Sequence, residues 1–158
     1  MIQKALFGAG CFWGVEENFR TLKGVQNTEV GYSGGNTKNP TYESVCYQNT
    51  DHAEVLQVKF DDEVISYEAL VEEFWKCHDP TTMDKQGPDL GRQYRSVIYY
   101  FNDHQKIIAE NSKEKQTSDG KSTDNILSSK KDVPTLNNAT NSPKNDENAE
   151  NIPPRNEN

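Results

Sequence analysis

GAGCFWGVEENF, residues 8–19, reads as the corner where a strand becomes a helix, with a cysteine at the corner. Upstream, IQKALFG (2–8) has the look of a first strand that ends in the glycines. Downstream, Phe12, Val15, Phe19 and Leu22 recur at helical spacing. Glu16 and Glu17 fall in the early turns, where carboxylates complement the helix dipole, and Gly24 is expected to end the helix. A cysteine wanted only for packing would more often sit on the apolar stripe. Cys11 instead lies between Gly10 and Phe12, and its small neighbours leave room for another molecule. If the helix begins at Phe12 or Trp13, the sulfur meets free N–H groups and the positive dipole end, which lower a thiol pKa. Cys11 is therefore a candidate nucleophile.

Working outward, VQNTEVGYSGG (25–35) reads as a strand running into a glycine turn, and NPTYESVCYQ (39–48) as a loop followed by a short strand holding Cys46. AEVLQVKF (53–60) is a clearer strand, with Leu56, Val58 and Phe60 on one face. Ser66 is positioned to cap a helix whose stripe is Tyr67, Leu70, Val71, Phe74 and Trp75, with Cys77 at its end and Pro80 as its stop. MDKQGPDLGRQY (83–94) is a long polar loop of the kind that carries function. RSVIYYF (95–101) is a strand, and Asp103 is placed to cap a last helix that fades near Gln116. The order predicts an α+β fold: a mixed, mostly antiparallel sheet with packed helices, a two-layer sandwich of the ferredoxin-like kind.

Apolar residues are only 32% of the 158, and the deficit is uneven. No aromatic residue follows Phe101, and from Asn111 onward Asn, Ser, Thr, Lys, Asp and Glu dominate. Such a segment buries too little to offset its ordering entropy. A folded domain over residues 1–116 and a disordered polar tail over 117–158 are expected. The net charge is −8 without a basic stripe, which argues against nucleic acid as a partner. No apolar run approaches the ~20 residues that span a bilayer. The N-terminal stretch has no export-type cleavage site, so a cytoplasmic protein with reduced cysteines is the expectation.

Glu54 shares the parity of Leu56, Val58 and Phe60, which would turn its carboxyl toward the apolar face. Desolvated there, it could serve as an acid near neutral pH. A strand-end glutamate reaching solvent has the same parity, and parity alone leaves the two open. His52-Ala53-Glu54 matches the H-x-E of zinc deaminases, but the P-C-x-x-C partner is absent. Cys11, Cys46 and Cys77 lack zinc-ligand spacing, and no metal or other cofactor is expected.

GAGCFWGVEENF, GYSGGNTKNPTYESVC (31–46), DHAEVLQVKFD (51–61), SYEALVEEFWKCHDPT (66–81) and QGPDLGRQYRSVIYY (86–100) together resemble the peptide methionine sulfoxide reductase A family. They follow that family's order and spacing over roughly residues 4–110. The resemblance implies thiol-dependent reduction of the S epimer of methionine sulfoxide, free or in proteins, by a monomer recycled by thioredoxin or another thiol. By position it makes Cys11 the nucleophile and Glu54 the proton donor. It makes Tyr42 and Tyr94 the holders of the sulfoxide oxygen, with Asp89 in the same polar network. Phe12 and Trp13 become the apolar cage for the methyl group. Past Asn111 the family's further strand, its acidic His-containing segment and the recycling cysteines of many members are not legible, so the domain is expected to be C-terminally incomplete. Cys46 and Cys77 are expected to be structural. The alternatives are an impaired member acting as a binding protein and a thiol peroxidase.

Overall fold

The computed structural model describes residues 1–82, 84–118, 127–128 and 137–138. Strand β1 (Ile2–Ala9) lies at the centre. It pairs antiparallel with β3 (Ala53–Asp61) on one side and with β6 (Ser96–Tyr99) on the other, so that Phe7 faces Leu56 and Ile98. β2 (Val25–Ser33) adds antiparallel to β3, and its Tyr32 stands opposite Glu54. The four long strands thus run β6-β1-β3-β2, the ferredoxin-like order expected. Leu127–Ser128 (β7) pairs parallel with β6, and Asn137–Asn138 (β8) pairs antiparallel with β2. The sheet is therefore mixed but mostly antiparallel. The rest of the expected disordered tail lies outside the described residues.

Helices α1 (Phe12–Arg20) and α3 (Tyr67–Lys76) cover one face. Phe7 is the hub of that layer. Its ring stacks on Phe19 at 5.3 Å, on Phe74 at 5.4 Å and on Tyr67 at 6.3 Å between centroids. Leu56, Val58 and Phe60 point into the same core, while Leu6, Val55 and Val97 are buried on the opposite face. Removing the hub should be costly: Phe7→Ala is expected to destabilise the domain by about 3–5 kcal/mol. Urea unfolding measures this, and a loss below about 1 kcal/mol would show that the stacked rings do not hold the layers together.

Local signals explain the ends. The Ser66 hydroxyl accepts the Ala69 N–H at 3.1 Å and starts α3, as its place in the sequence suggests. The helix stops at Lys76, before Pro80 is reached. The last helix, α4 (Asp103–Ser118), is capped not by Asp103 but by Asn102, whose Oδ1 accepts the Gln105 N–H at 2.8 Å. Gln105 is buried and fastens α4 to the sheet, donating to the Lys4 carbonyl at 2.7 Å and accepting from the Phe101 N–H at 3.0 Å.

The stretch around Cys46 is not a strand. It is helix α2 (Tyr42–Tyr47), nucleated by a capping box. The Thr41 hydroxyl accepts the Ser44 N–H at 3.0 Å, and the Thr41 N–H returns a bond to the Ser44 hydroxyl at 2.9 Å. The polar stretch before β6 is also more ordered than a plain loop. It folds into a small hairpin, β4 (Lys85–Gln86) with β5 (Asp89–Leu90), followed by a 3-10 turn at Arg92–Tyr94.

Candidate active site

The antiparallel order brings the C-terminal ends of β1 and β2 and the N-terminal ends of β3 and β6 to one end of the sheet. Every candidate residue is placed at or beside that end. β1 finishes at Ala9, and Gly10 makes the corner with φ +100°. Cys11 is then the N-cap residue of α1, with no side-chain capping bond, and its carbonyl accepts the Val15 N–H at 3.1 Å to open the helix. The half-buried thiol therefore sits at the positive end of a nine-residue helix.

No acidic residue occupies the first turn of α1. The expectation that Glu16 and Glu17 serve the dipole is not met. Glu16 accepts the Thr28 hydroxyl at 2.6 Å, and Glu17 pairs with Arg20 at 2.6 Å. The carboxylate at the helix start comes from β3 instead. Glu54 is 1% exposed, and its Oε1 accepts the Phe12 N–H at 3.1 Å. This bond sets the carboxyl beside the residue that follows Cys11. The strand parity predicted the face, and packing under α1 keeps the group from solvent.

An aromatic wall stands next to this pair. The Phe12 ring lies 5.4 Å from Trp13 and 5.4 Å from Tyr32 between centroids. Phe12, Tyr32 and Val45 form one buried cluster with Trp13 half-buried against it. Tyr32 was missed in the sequence because its place opposite Glu54 depends on the β2–β3 register. Val45 was missed because α2 was. Tyr42 is the first residue of α2 and half-buried. Tyr94 is buried at the end of the 3-10 turn, and Asp89 is half-buried in β5.

Two clamps hold the loops at this end. His52 is buried between β2's exit and the start of β3; its Nδ1 accepts the Gly35 N–H at 3.0 Å. That bond leaves the ring proton on Nε2, which donates to the Thr37 carbonyl at 2.9 Å. A Cβ on Gly35 would stand 2.4 Å from the His52 ring and 2.4 Å from the Thr50 carbonyl, so only glycine fits there. On the other side Arg92 pairs with Asp51 and, at 3.3 Å, with Asp84. The Arg92 guanidinium holds the Asp51 carboxyl below the usual carboxylate range.

The other two thiols have different surroundings. Cys46 is half-buried on α2. Burial, aided by Glu73, pushes the Cys77 thiol up to about 12. The neighbouring His78 donates from Nδ1 to the Phe74 carbonyl at 2.8 Å and accepts the Ser96 hydroxyl on Nε2 at 2.8 Å. It ties the end of α3 to the start of β6, in keeping with a role in shaping the helix end. Among the described residues no group of three or more His, Cys, Asp and Glu side chains is set to hold a metal. No described helix is long and apolar enough to cross a membrane.

His78 carries a pH prediction. Burial lowers its pKa from 6.5 to about 4, so the unfolded chain binds a proton that the folded one refuses. Its contribution is fully present above pH 6.5 and is lost as pH falls toward 4, by about 3 kcal/mol in all. Urea unfolding at pH 7 and pH 5 should show a fall in stability that is smaller in His78→Gln. Equal falls in the two proteins would contradict it.

The family model for peptide methionine sulfoxide reductase matches residues 3–145, further along the chain than the motifs alone reach. The chain is 59% identical over 119 residues to the peptide methionine sulfoxide reductase MsrA of Methanosarcina mazei. That alignment takes in 75% of this chain and 56% of the relative, so the chain spans little more than half the relative's length. Among solved structures it is similar to Mxr1 from Saccharomyces cerevisiae in reduced form, with a TM-score of 0.69 and 34% identity over 81% of this chain and 74% of that one. It is also similar to Mxr1 in complex with Trx2, with a TM-score of 0.52 and 26% identity over 81% and 73% of the two chains. The family match over residues 3–145 and the 59% identity to a relative over 75% of the chain show that the chain belongs to the peptide methionine sulfoxide reductase family.

Proposed function

We propose that this chain reduces the S epimer of methionine sulfoxide, free or in proteins, to methionine. The observation that carries the proposal is the sharing of one helix start by two groups: Cys11 caps α1, and Glu54 accepts that helix's first N–H. The Cys11 thiolate attacks the sulfoxide sulfur. Glu54, buried and held against the Phe12 N–H, supplies a proton to the sulfoxide oxygen. The S–O bond of the substrate breaks as oxygen passes to Cys11, leaving methionine and a cysteine sulfenic acid. Tyr42 and Tyr94 hold the oxygen, Asp89 supports them, and Phe12 and Trp13 give the methyl group a dry wall.

Two thiols then restore Cys11: the first displaces water to form a mixed disulfide, and the second releases Cys11 as the external disulfide forms. Thioredoxin is the proposed reductant, a role in keeping with the solved complex of Mxr1 with Trx2. The proposed enzyme is a monomer of the cytoplasm.

The direct test offers each epimer of a chromophore-tagged methionine sulfoxide with excess dithiothreitol. The S epimer should be consumed and the R epimer left. Consumption of neither, or of both equally, would count against the assignment. A second measurement addresses recycling. Without external thiol, one turnover should leave sulfenic acid on Cys11, because the half-buried Cys77 thiol is pushed up to about 12 and stays protonated, and residues 78–158 contain no cysteine. A stoichiometric Cys11–Cys46 or Cys11–Cys77 disulfide in a non-reducing peptide map would make that partner the resolving thiol instead.

A further inference from the structure

Gln86, a residue of the small hairpin, meets three parts of the site at once. Its carboxamide reads both backbone groups of Asp79: Oε1 accepts the Asp79 N–H at 2.8 Å, and Nε2 donates to the Asp79 carbonyl at 2.8 Å. Its aliphatic stem lies on the α-carbon of Gly10, where a Cβ would stand 2.8 Å from Gln86 Cγ and 3.0 Å from Gln86 Cβ. Directly across the hairpin from it is Asp89. A flexible side chain laid over Gly10 could move aside, but this one is pinned at its far end by two hydrogen bonds to main chain. Gly10, at φ +100°, is the hinge on which Cys11 turns into α1.

From this arrangement we infer that Gln86 is a positioning residue for the nucleophile. It braces the Gly10–Cys11 corner against the turn that follows α3 and so fixes the Cys11 sulfur relative to the hairpin that carries Asp89. Gln86 touches no reacting atom. It acts through the corner it holds, where a displacement of about 1 Å can cost on the order of 100-fold in rate. The inference rests on Cys11 being the reactive thiol of the proposed function.

Two substitutions separate the brace from the bulk. Gln86→Met keeps a stem over Gly10 and removes both amide bonds. Gln86→Glu keeps the acceptor for the Asp79 N–H and sets a carboxylate oxygen against the Asp79 carbonyl. Each protein is titrated for the rate of Cys11 alkylation by iodoacetamide from pH 5 to pH 10, located by peptide mass. Cys77 must stay unreactive, which certifies the folded state, and first-turnover reduction of the S epimer is measured alongside. Cys11 alkylation at pH 7 is expected to fall about 10-fold in both variants, with the profile displaced to higher pH. A role in stability alone would lower the melting temperature and leave that profile in place. Profiles within about twofold of the parent's would overturn the inference. If Gln86→Met exposes Cys77, Gln86→Glu, which retains one of the two bonds, decides alone at reduced temperature. If the parent reduces neither epimer while the Cys11 profile still moves in the variants, the proposed reaction falls and the brace stands. An active parent with unmoved profiles gives the reverse.

Discussion

Glu54→Gln is expected to slow the first turnover by about 100–10,000-fold, the usual range for a general acid, while leaving substrate binding within a few fold. The side chain is buried and accepts the Phe12 N–H. Glutamine can keep that bond through its carbonyl oxygen and fills the same space. It cannot hand a proton to the departing oxygen, so the loss should appear in the chemical step. Raising the substrate concentration should not recover it. Rapid-quench measurement of methionine formed on a single enzyme equivalent gives the rate directly. A rate within about threefold of the parent would remove Glu54 from the role.

The second large effect concerns the thiols. Cys77 is pushed from 9.0 to about 12 by burial, so at neutral pH its thiolate is about 1,000-fold scarcer than that of an ordinary cysteine. Cys11 stands at a helix start, where N–H groups favour the anion. Iodoacetamide should therefore modify Cys11 far faster than Cys77, with their rates separated by on the order of 100-fold at pH 7 once the greater intrinsic nucleophilicity of the more basic thiolate is allowed for. Cys46, half-buried on α2, should also lag behind Cys11. Peptide mapping against time gives all three rates at once. Equal rates at Cys11 and either other cysteine would show that the helix start does not activate the first thiol.

What could be seen in the sequence was whatever a short-range period encodes. Alternation placed Glu54 on the face of Leu56, Val58 and Phe60, and the fold puts that face under the helices. Helical spacing after Cys11 placed the thiol at a helix start. Errors came where a polar side chain, not an apolar period, sets the backbone. Thr41 and Ser44 cap α2 reciprocally, yet serine stands where the familiar capping box has a glutamate or glutamine, so the sequence alone points to a strand at Cys46. Asn102 and Asp103 are both good caps, and only the geometry of Gln105 selects the first. Tyr32 and Gln86 were invisible for another reason. Their importance lies in contacts with residues 22 and 76 positions away, Glu54 and Gly10, which strand register and chain packing create.

The most direct test of the account is to trap the oxygen in flight. The protein is mixed with one equivalent of the S epimer and no reductant. A sulfenic-acid-specific carbon nucleophile such as dimedone is then added, and its adduct is located by peptide mass spectrometry. The account predicts one adduct on Cys11 for each methionine released, and neither adduct nor methionine from Cys11→Ser. An adduct on Cys46 or Cys77 in step with methionine release, or methionine formed by Cys11→Ser at the parent's rate, would contradict it.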